Sequence, residues 1–370
     1  MEIAKDAKWV KFDVMKAFTK DVFKGLGVPA ADAEVCAEVL ICADKLGIDS
    51  HGVSRLKPIY YDRIKQGIQL ATTRFEIVRQ TPTTAVIDGH NGMGHVISVR
   101  AMNMAIKKAK KYGLGMTAVR NSTHYGIAGY HALLAAKAGM IGITGTNARP
   151  SVAPTFGVEN MLGTNPMTFA IPTDEKFPFL LDCATSITQR GKIEVYAKLG
   201  KKMPKGWVID SRGNSKTDSV AVLKDLVAGT AALVPVGGIG EELGGYKGYG
   251  YCAVVEILSA ALQQGAYMKM LLGVKDGKKV PYPLGHFFLA INIEAFTTLR
   301  SFKKITGNIL RELRASKKMP GAKRIYTAGE KEHLNWLYRE NRGVPVNGET
   351  QKEMLAMQAE LGLKKYKFNF

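Results

Sequence analysis

The chain has 370 residues, an ordinary apolar content and no low-complexity tract, which excludes a disordered or fibrous protein and leaves room for two compact domains, or one large domain with an insertion. Lysine and arginine outnumber aspartate and glutamate by 52 to 32; the resulting charge of +20 suits anionic partners, whether nucleic acid, an acidic surface or a small organic acid. No run of about eighteen apolar residues occurs and Met1 to Lys16 lack an apolar core, so neither a membrane span nor a secretory signal is expected. Cys36, Cys42, Cys183 and Cys252 are isolated, with no C-x-x-C spacing; a metal site or disulfide scaffold is not expected, and a reducing cytoplasm fits.

The first 75 residues read as helical. Phe12, Met15, Phe18 and Val22 recur at three- and four-residue steps and form one apolar stripe. A turn at Gly25 to Pro29 leads to a second helix, Glu34 to Leu46, closed by Gly47. Asp49 or Ser50 is then expected to cap a helix carrying His51 and Arg55 on one face, with a break at Pro58 and a stop at Gly67. Thr84 to Asp88, Leu114 to Val119 and Met140 to Gly145 read as strands. Val96 to Tyr112 and Ile127 to Ala138 read as the helices between them. This rhythm resembles a nucleotide-binding half, yet no G-x-G-x-x-G joins a strand to a helix, so a Rossmann fold is rejected.

Met167 to Pro172 and Phe179 to Asp182 read as paired strands, followed by a helix capped by Thr185 or Ser186 and ending near Leu199. After a turn-rich stretch, the glycines of 237–250 meet a helix expected from about Tyr249 to Leu262. His286 to Ile293 is a last strand, and the tail is helical and amphipathic. The fold class is therefore α/β (α+β): a mainly helical domain from residues 1–80 and 294–370, with an α/β domain, 81–293, inserted between. The basic concentration from Arg300 to Arg324 reads as a solvated helix face and loop rather than a polyanion site.

A histidine that moves protons beside an arginine that forks onto a carboxylate suits a small organic acid, which makes His51 and Arg55 the first candidates. His124 stands at a strand end beside a helix start, where ligands of α/β sheets bind and where the helix dipole disfavours an imidazolium. Lys247, between glycines at a helix start, suggests a phosphate cradle. The polar turns at Thr146–Pro150, Gly163–Pro166 and Asp182–Ser186 are candidates to line the same cleft, with Arg149 a second anion-binding group.

Taken together, D-S-H-G-V-x-R, N-S-x-H-Y-G, G-T-N-P, D-x-A-T-S and G-Y-K-G-Y-G, in this order over about residues 5–335, resemble the type 2 malate/L-lactate dehydrogenase family. That family also includes sulfolactate, ureidoglycolate and 2,3-diketo-gulonate enzymes and a cyclic imine reductase. The resemblance implies a non-Rossmann NAD(P)-binding domain on a mixed sheet and a homodimer. It also implies hydride transfer between NAD or NADP and C2 of a small anionic 2-oxo or 2-hydroxy acid, malate first. His51 and His124 match the family's acid/base histidines, and Ser50 and Arg55 match the substrate-holding segment. His124, Asp182, Cys183, Ala184, Thr185, Tyr246, Lys247, Gly329 and Glu330 match cofactor-contacting positions of the family. The chain departs from the family pattern at Pro58, with one extra residue before Arg63, and in a longer tail. The reading from another class, a nucleic-acid binder using the net charge, explains none of these motifs.

Overall fold

The structure, a computed structural model, describes residues 3–370. A short strand, β1 (Lys8–Val10), precedes α1 (Phe12–Gly25) and α2 (Ala30–Lys45). The stripe of α1 is buried as its spacing predicts, through Met15, Phe18 and Val22. At Gly47 the chain turns with φ +76°, and a Cβ there would lie 2.4 Å from Asn335 Nδ2, so both conformation and packing require glycine. Beyond it, Val53–Arg55 forms one 3-10 turn, Leu56–Tyr61 a π-helical stretch, and α3 (Asp62–Lys65) the last turn. The break expected at Pro58 takes this form. Proline has no N–H and crowds the preceding turn, and the wider π turn admits both it and one additional residue.

Next come β2 (Glu76–Gln80), β3 (Thr84–Asp88), α4 (Gly94–Tyr112), β4 (Leu114–Ser122), α5 (Ala128–Lys137), β5 (Met140–Thr146), β6 (Met167–Ile171) and β7 (Phe179–Cys183). A small unit follows: α6 (Arg190–Lys198), β8 (Val208–Asp210), α7 (Ser219–Ala228) and β9 (Ala231–Leu233). Then come α8 (Gly245–Ala260), the short pair β10 (Val274–Lys275) and β11 (Lys278–Lys279), and β12 (Leu284–Asn292). The tail holds α9 (Leu299–Ala315), α10 (Glu330–Arg339), β13 (Val344–Val346) and α11 (Gly348–Glu360).

The main sheet has seven strands in the order β2-β3-β4-β12-β5-β6-β7. Only β3 and β4 pair in parallel; the other pairs are antiparallel. β12 runs between β4 and β5, opposite to both, which separates the strands that a Rossmann half would bring together. The mixed sheet is thus the architecture expected. β2, though N-terminal to residue 81, belongs to this sheet.

Small residues let α4 lie close on the sheet: Ala101, Ala105 and Ala109 are buried, and a Cβ at Gly115 would sit 2.0 Å from the Ala105 carbonyl oxygen. A separate core joins Met15, Phe18, Phe23, Leu40 and Tyr60 with Val344, Val346, Met354 and Met357, so the end of the tail packs on the first helices. β1 and β13 seal that contact as an antiparallel pair. α9 does otherwise and lies against the turn between β6 and β7, where Arg311 pairs with Asp174 and Arg314 with Glu175.

Candidate active site

The turn that carries His51 is held from both ends of the chain. Asp44 is buried, and its Oδ2 accepts from the Val53 N–H at 2.9 Å. This cap comes from the preceding helix, not from Asp49 or Ser50 as the sequence suggested. A Cβ on Gly52 would lie 1.9 Å from Asp44 Oδ1, which explains the glycine next to the histidine. His51 precedes the helical turn, so it and Arg55 meet by the folding of the turn, not by sharing a helix face. The carboxylate of Asp49 is taken by Arg339 of α10, whose Nη2 donates to Oδ2 at 2.8 Å. The Nη1 of Arg339 also donates to the Asp44 carbonyl at 2.7 Å. Ser50 Oγ lies 2.9 Å from His51 Nδ1, and the Ser50 carbonyl accepts from Arg55 Nε at 2.6 Å. That bond aims the guanidinium while leaving its two Nη groups without a protein partner among the described residues.

His124 leaves the end of β4 and faces His51, with ring centroids 5.8 Å apart and planes within 20°. Its Nδ1 is 2.6 Å from the Tyr60 hydroxyl and 3.3 Å from the Gly126 nitrogen. A backbone N–H only donates, so Nδ1 is an acceptor and the ring proton sits on Nε2. Tyr60 is fully buried in the π stretch and its phenol is pushed well up by burial, so it stays a donor. Burial is also the main cause that lowers both imidazoles: His51 to about 4, with Arg55 adding to it, and His124 well below its usual value, with His51 and Arg63 adding to it. Both rings are therefore neutral at pH 7. The sequence reading credited the helix dipole, whereas burial dominates.

Tyr60→Phe removes the stronger of the two bonds onto Nδ1 without changing packing. With one bond to a buried group worth about 1–3 kcal/mol, we expect kcat to fall roughly 10–100-fold with KM within about threefold. Steady-state kinetics check this, and an unchanged kcat would show that the phenol plays no part.

Behind the pair lies a row of further imidazoles. Tyr60 packs on His95, with centroids 4.5 Å apart. Tyr125 is sandwiched between His131 and His286, at 4.8 and 4.5 Å. His95, His131 and His286 are fully buried, and burial lowers them to about 3, 4 and 3.

On the other side, the Arg63 guanidinium lies over the Tyr282 ring, 4.9 Å from its centroid. The two line a small cavity with Gln69, Asn91 and Thr123, the residue before His124. Arg149 is exposed, and its charge reaches Tyr282. The opening turn of α6 overhangs Arg55: a Cβ on Gly191 would be 3.6 Å from its Nη2. Tyr60, Arg63, Tyr282 and Gly191 were not read from the sequence as site residues. Arg63 stands eight residues after Arg55, near the spacing of one helix face, and a helix drawn through Pro58 would have found it.

The remaining candidates lie in three places. Asp182, at the end of β7, accepts from the Gly129 N–H at 2.7 Å and from Thr168 Oγ1 at 2.9 Å, and so caps α5. Beside it Cys183 is exposed and Ala184 buried. Thr185 donates to the Asn165 carbonyl at 3.0 Å and Ser186 to that of Thr188 at 2.7 Å. Neither caps the following helix, which begins only at Arg190. Tyr246 and Lys247 stand in the first turn of α8, earlier than the expected start at Tyr249. They follow a loop in which Gly237, Gly238, Gly240 and Gly244 all adopt positive φ. Tyr246 is half-exposed, Lys247 is exposed, and Lys247 has no carboxylate partner among the described residues. Gly329 opens α10 with φ +88°, close on the Pro178 carbonyl, and Glu330 is buried against Arg324 and the Thr327 N–H. No group of three His, Cys, Asp or Glu able to hold a metal occurs among the described residues.

A sequence profile of the malate/L-lactate dehydrogenase family matches residues 10–355. The chain is 46% identical over 352 residues to a malate dehydrogenase of Pyrococcus abyssi, covering 95% of this chain and 94% of that one. It is 37% identical over 343 residues to an L-sulfolactate dehydrogenase of Methanocaldococcus jannaschii, covering 93% and 94%. The crystal structure of a malate dehydrogenase from Entamoeba histolytica superposes with a TM-score of 0.94 at 44% identity, covering 98% of this chain and all of that one. With a facing pair of neutral histidines, and an arginine that has no carboxylate partner among the described residues, set in the mixed-sheet fold of these relatives, the chain belongs to the malate/L-lactate dehydrogenase family.

Proposed function

We propose that this protein is an NAD(P)-dependent dehydrogenase that interconverts malate and oxaloacetate. The observation that carries the reading is the pair of neutral imidazoles, His51 and His124, beside the Arg55 fork, which forms no salt bridge among the described residues. The Arg55 fork takes the carboxylate next to the reacting carbon by two parallel bonds and so orients C2. His124 donates its Nε2–H to the C2 oxygen, where negative charge grows during reduction. His51, tuned by burial and tied to Ser50, carries the proton to or from that oxygen. A bound nicotinamide cofactor supplies or accepts the hydride.

The start of α8 fits such a cofactor. The N–H groups of Gly245 and Tyr246, the exposed Lys247 side chain and the Tyr246 ring suit a pyrophosphate with an adjoining flat ring. Asp182 to Thr185 and Gly329–Glu330 then serve as backbone walls, because their carboxylates are already taken by Gly129, Thr168, Arg324 and Thr327.

A homodimer is part of the proposal. Ile305, Ile309 and Leu313 of α9 are each more than half exposed and form one apolar stripe four residues apart. Tyr251, Val254 and Ile257 leave a second apolar face on α8. Light scattering should give twice the chain mass of 40.3 kDa. The four unpaired thiols suit a reducing cytoplasm, and no helix among the described residues is long and apolar enough to cross a membrane.

The test is a panel of oxaloacetate, sulfopyruvate and pyruvate with NADH and with NADPH, followed by absorbance of the reduced cofactor. Preferred turnover of oxaloacetate supports the reading. Preferred turnover of sulfopyruvate moves the substrate to sulfolactate, and no turnover of any of the three refutes the proposal.

A further inference from the structure

Five arginines of the described chain are half-buried or buried: Arg55, Arg63, Arg120, Arg314 and Arg339. Three have a carboxylate, since Arg120 pairs with Asp88, Arg314 with Glu175 and Arg339 with Asp49. The two without one, among the described residues, are Arg55 and Arg63, and both flank His124. A half-buried guanidinium gives up part of its hydration, and a counter-ion ordinarily restores the loss. Arg63 has no protein hydrogen-bond partner for its guanidinium among the described residues, and only the Tyr282 ring supports it. Stacking fixes the plane of the fork and leaves its edge free to bind. The phenol of Tyr282 has no partner among the described residues either, and lines the same cavity. Arg149 adds positive charge near that ring.

We infer that Arg63, braced on Tyr282, binds the second anionic group of a dianionic 2-oxo or 2-hydroxy acid, and thereby sets the preference for dianions over monoanions. Arg55 takes the carboxylate next to the reacting carbon and Arg63 the distal carboxylate or sulfonate. A substrate with one charge leaves Arg63 unmatched. The inference rests on the proposed reaction for its kinetic arm and is independent of it for its binding arm.

The kinetic arm compares Arg63→Met and Arg63→Lys with the unaltered chain on oxaloacetate, sulfopyruvate and pyruvate. Arg63→Met should lose roughly 10–100-fold in kcat/KM on the two dianions, while pyruvate stays within about threefold. Arg63→Lys should recover part of the loss, because charge survives and the fork does not. Pyruvate turnover also reports that the variant folds. An equal loss on all three substrates, or no loss on any, overturns the inference. The binding arm measures thermal stabilisation by hydroxymalonate, a dianion, and by glycolate, a monoanion. Arg63→Met should abolish the shift given by hydroxymalonate and keep that given by glycolate. An equal hydroxymalonate shift in both proteins overturns the inference whatever the natural substrate is. If no oxo acid is turned over but the hydroxymalonate shift depends on Arg63, the proposed reaction fails and the dianion site stands.

Discussion

His51→Gln should lower kcat/KM for malate oxidation by about 10²–10⁴-fold with the urea midpoint nearly unchanged. The ring is half-buried, and its one hydrogen bond among the described residues joins it to the neighbouring Ser50, so little of the fold depends on it. Glutamine keeps a polar group of similar reach but cannot accept a proton. The pH dependence follows from the sign of the shift. Burial lowers His51 to about 4, so above that pH the ring of the free protein is the neutral base that oxidation needs. Oxidation kcat/KM should therefore be level between pH 6 and 9. Reduction needs the imidazolium, which becomes tenfold scarcer with each unit above that value, so reduction kcat/KM should fall with a slope near −1. His124→Gln, which keeps an N–H donor, should be milder than His51→Gln. Equal losses in the two variants, or a level reduction profile, would refute the division of labour between the rings.

The largest loss of stability is expected from Arg339→Met. Its guanidinium is buried and bonds to Asp49 and to the Asp44 carbonyl, so a single side chain of the tail holds the turn on which His51 sits. Breaking a buried ion pair on one side costs about 3–5 kcal/mol. We expect the low end, because Asp49 keeps one edge in water. Methionine fills much of the space, so the loss is of charge and hydrogen bonds rather than of volume. Activity should fall with stability, through kcat and KM together, as the turn loosens. Urea unfolding of Arg339→Met, Asp49→Asn and the double variant isolates the pair. Additive losses would show that the two residues act separately.

Much of this architecture is visible in the chain. The stripe of Met15, Phe18 and Val22, and the run from β3 to β7, follow from apolar period and glycine placement. β2 escaped because four of its five residues are exposed and show no alternation. β8 and β9 escaped because three residues are too few to show a period. Within the site, the fold brings together His51, His124 and Arg55, all three of which stand out in the sequence. What local reading misses is a partner distant in sequence. The cap of the 3-10 turn comes from Asp44, nine residues back, and the grip on Asp49 comes from Arg339, 290 residues on. Pro58 hid Arg63 and Tyr60, because a proline reads as the end of a helix while the π turn carries the chain past it. Asp182 illustrates the opposite case: a motif picks out the residue, and only the fold shows its carboxylate closing the start of α5.

The row of enclosed imidazoles has a consequence for survival in acid. His95, His131 and His286 stay uncharged in the folded chain down to about 3, 4 and 3, whereas in the unfolded chain each takes up a proton near 6.5. As acidity rises through this window, unfolding becomes a proton-absorbing process, and native stability falls by up to about 4 kcal/mol per pH unit from these three rings alone. Against a total stability of roughly 5–15 kcal/mol, that sets a sharp collapse one or more units below 6.5. The same packing that keeps the rings dry should therefore confine the folded protein to near-neutral pH. A urea midpoint that holds steady from pH 7 to pH 5 would show that the interior rings already share those protons.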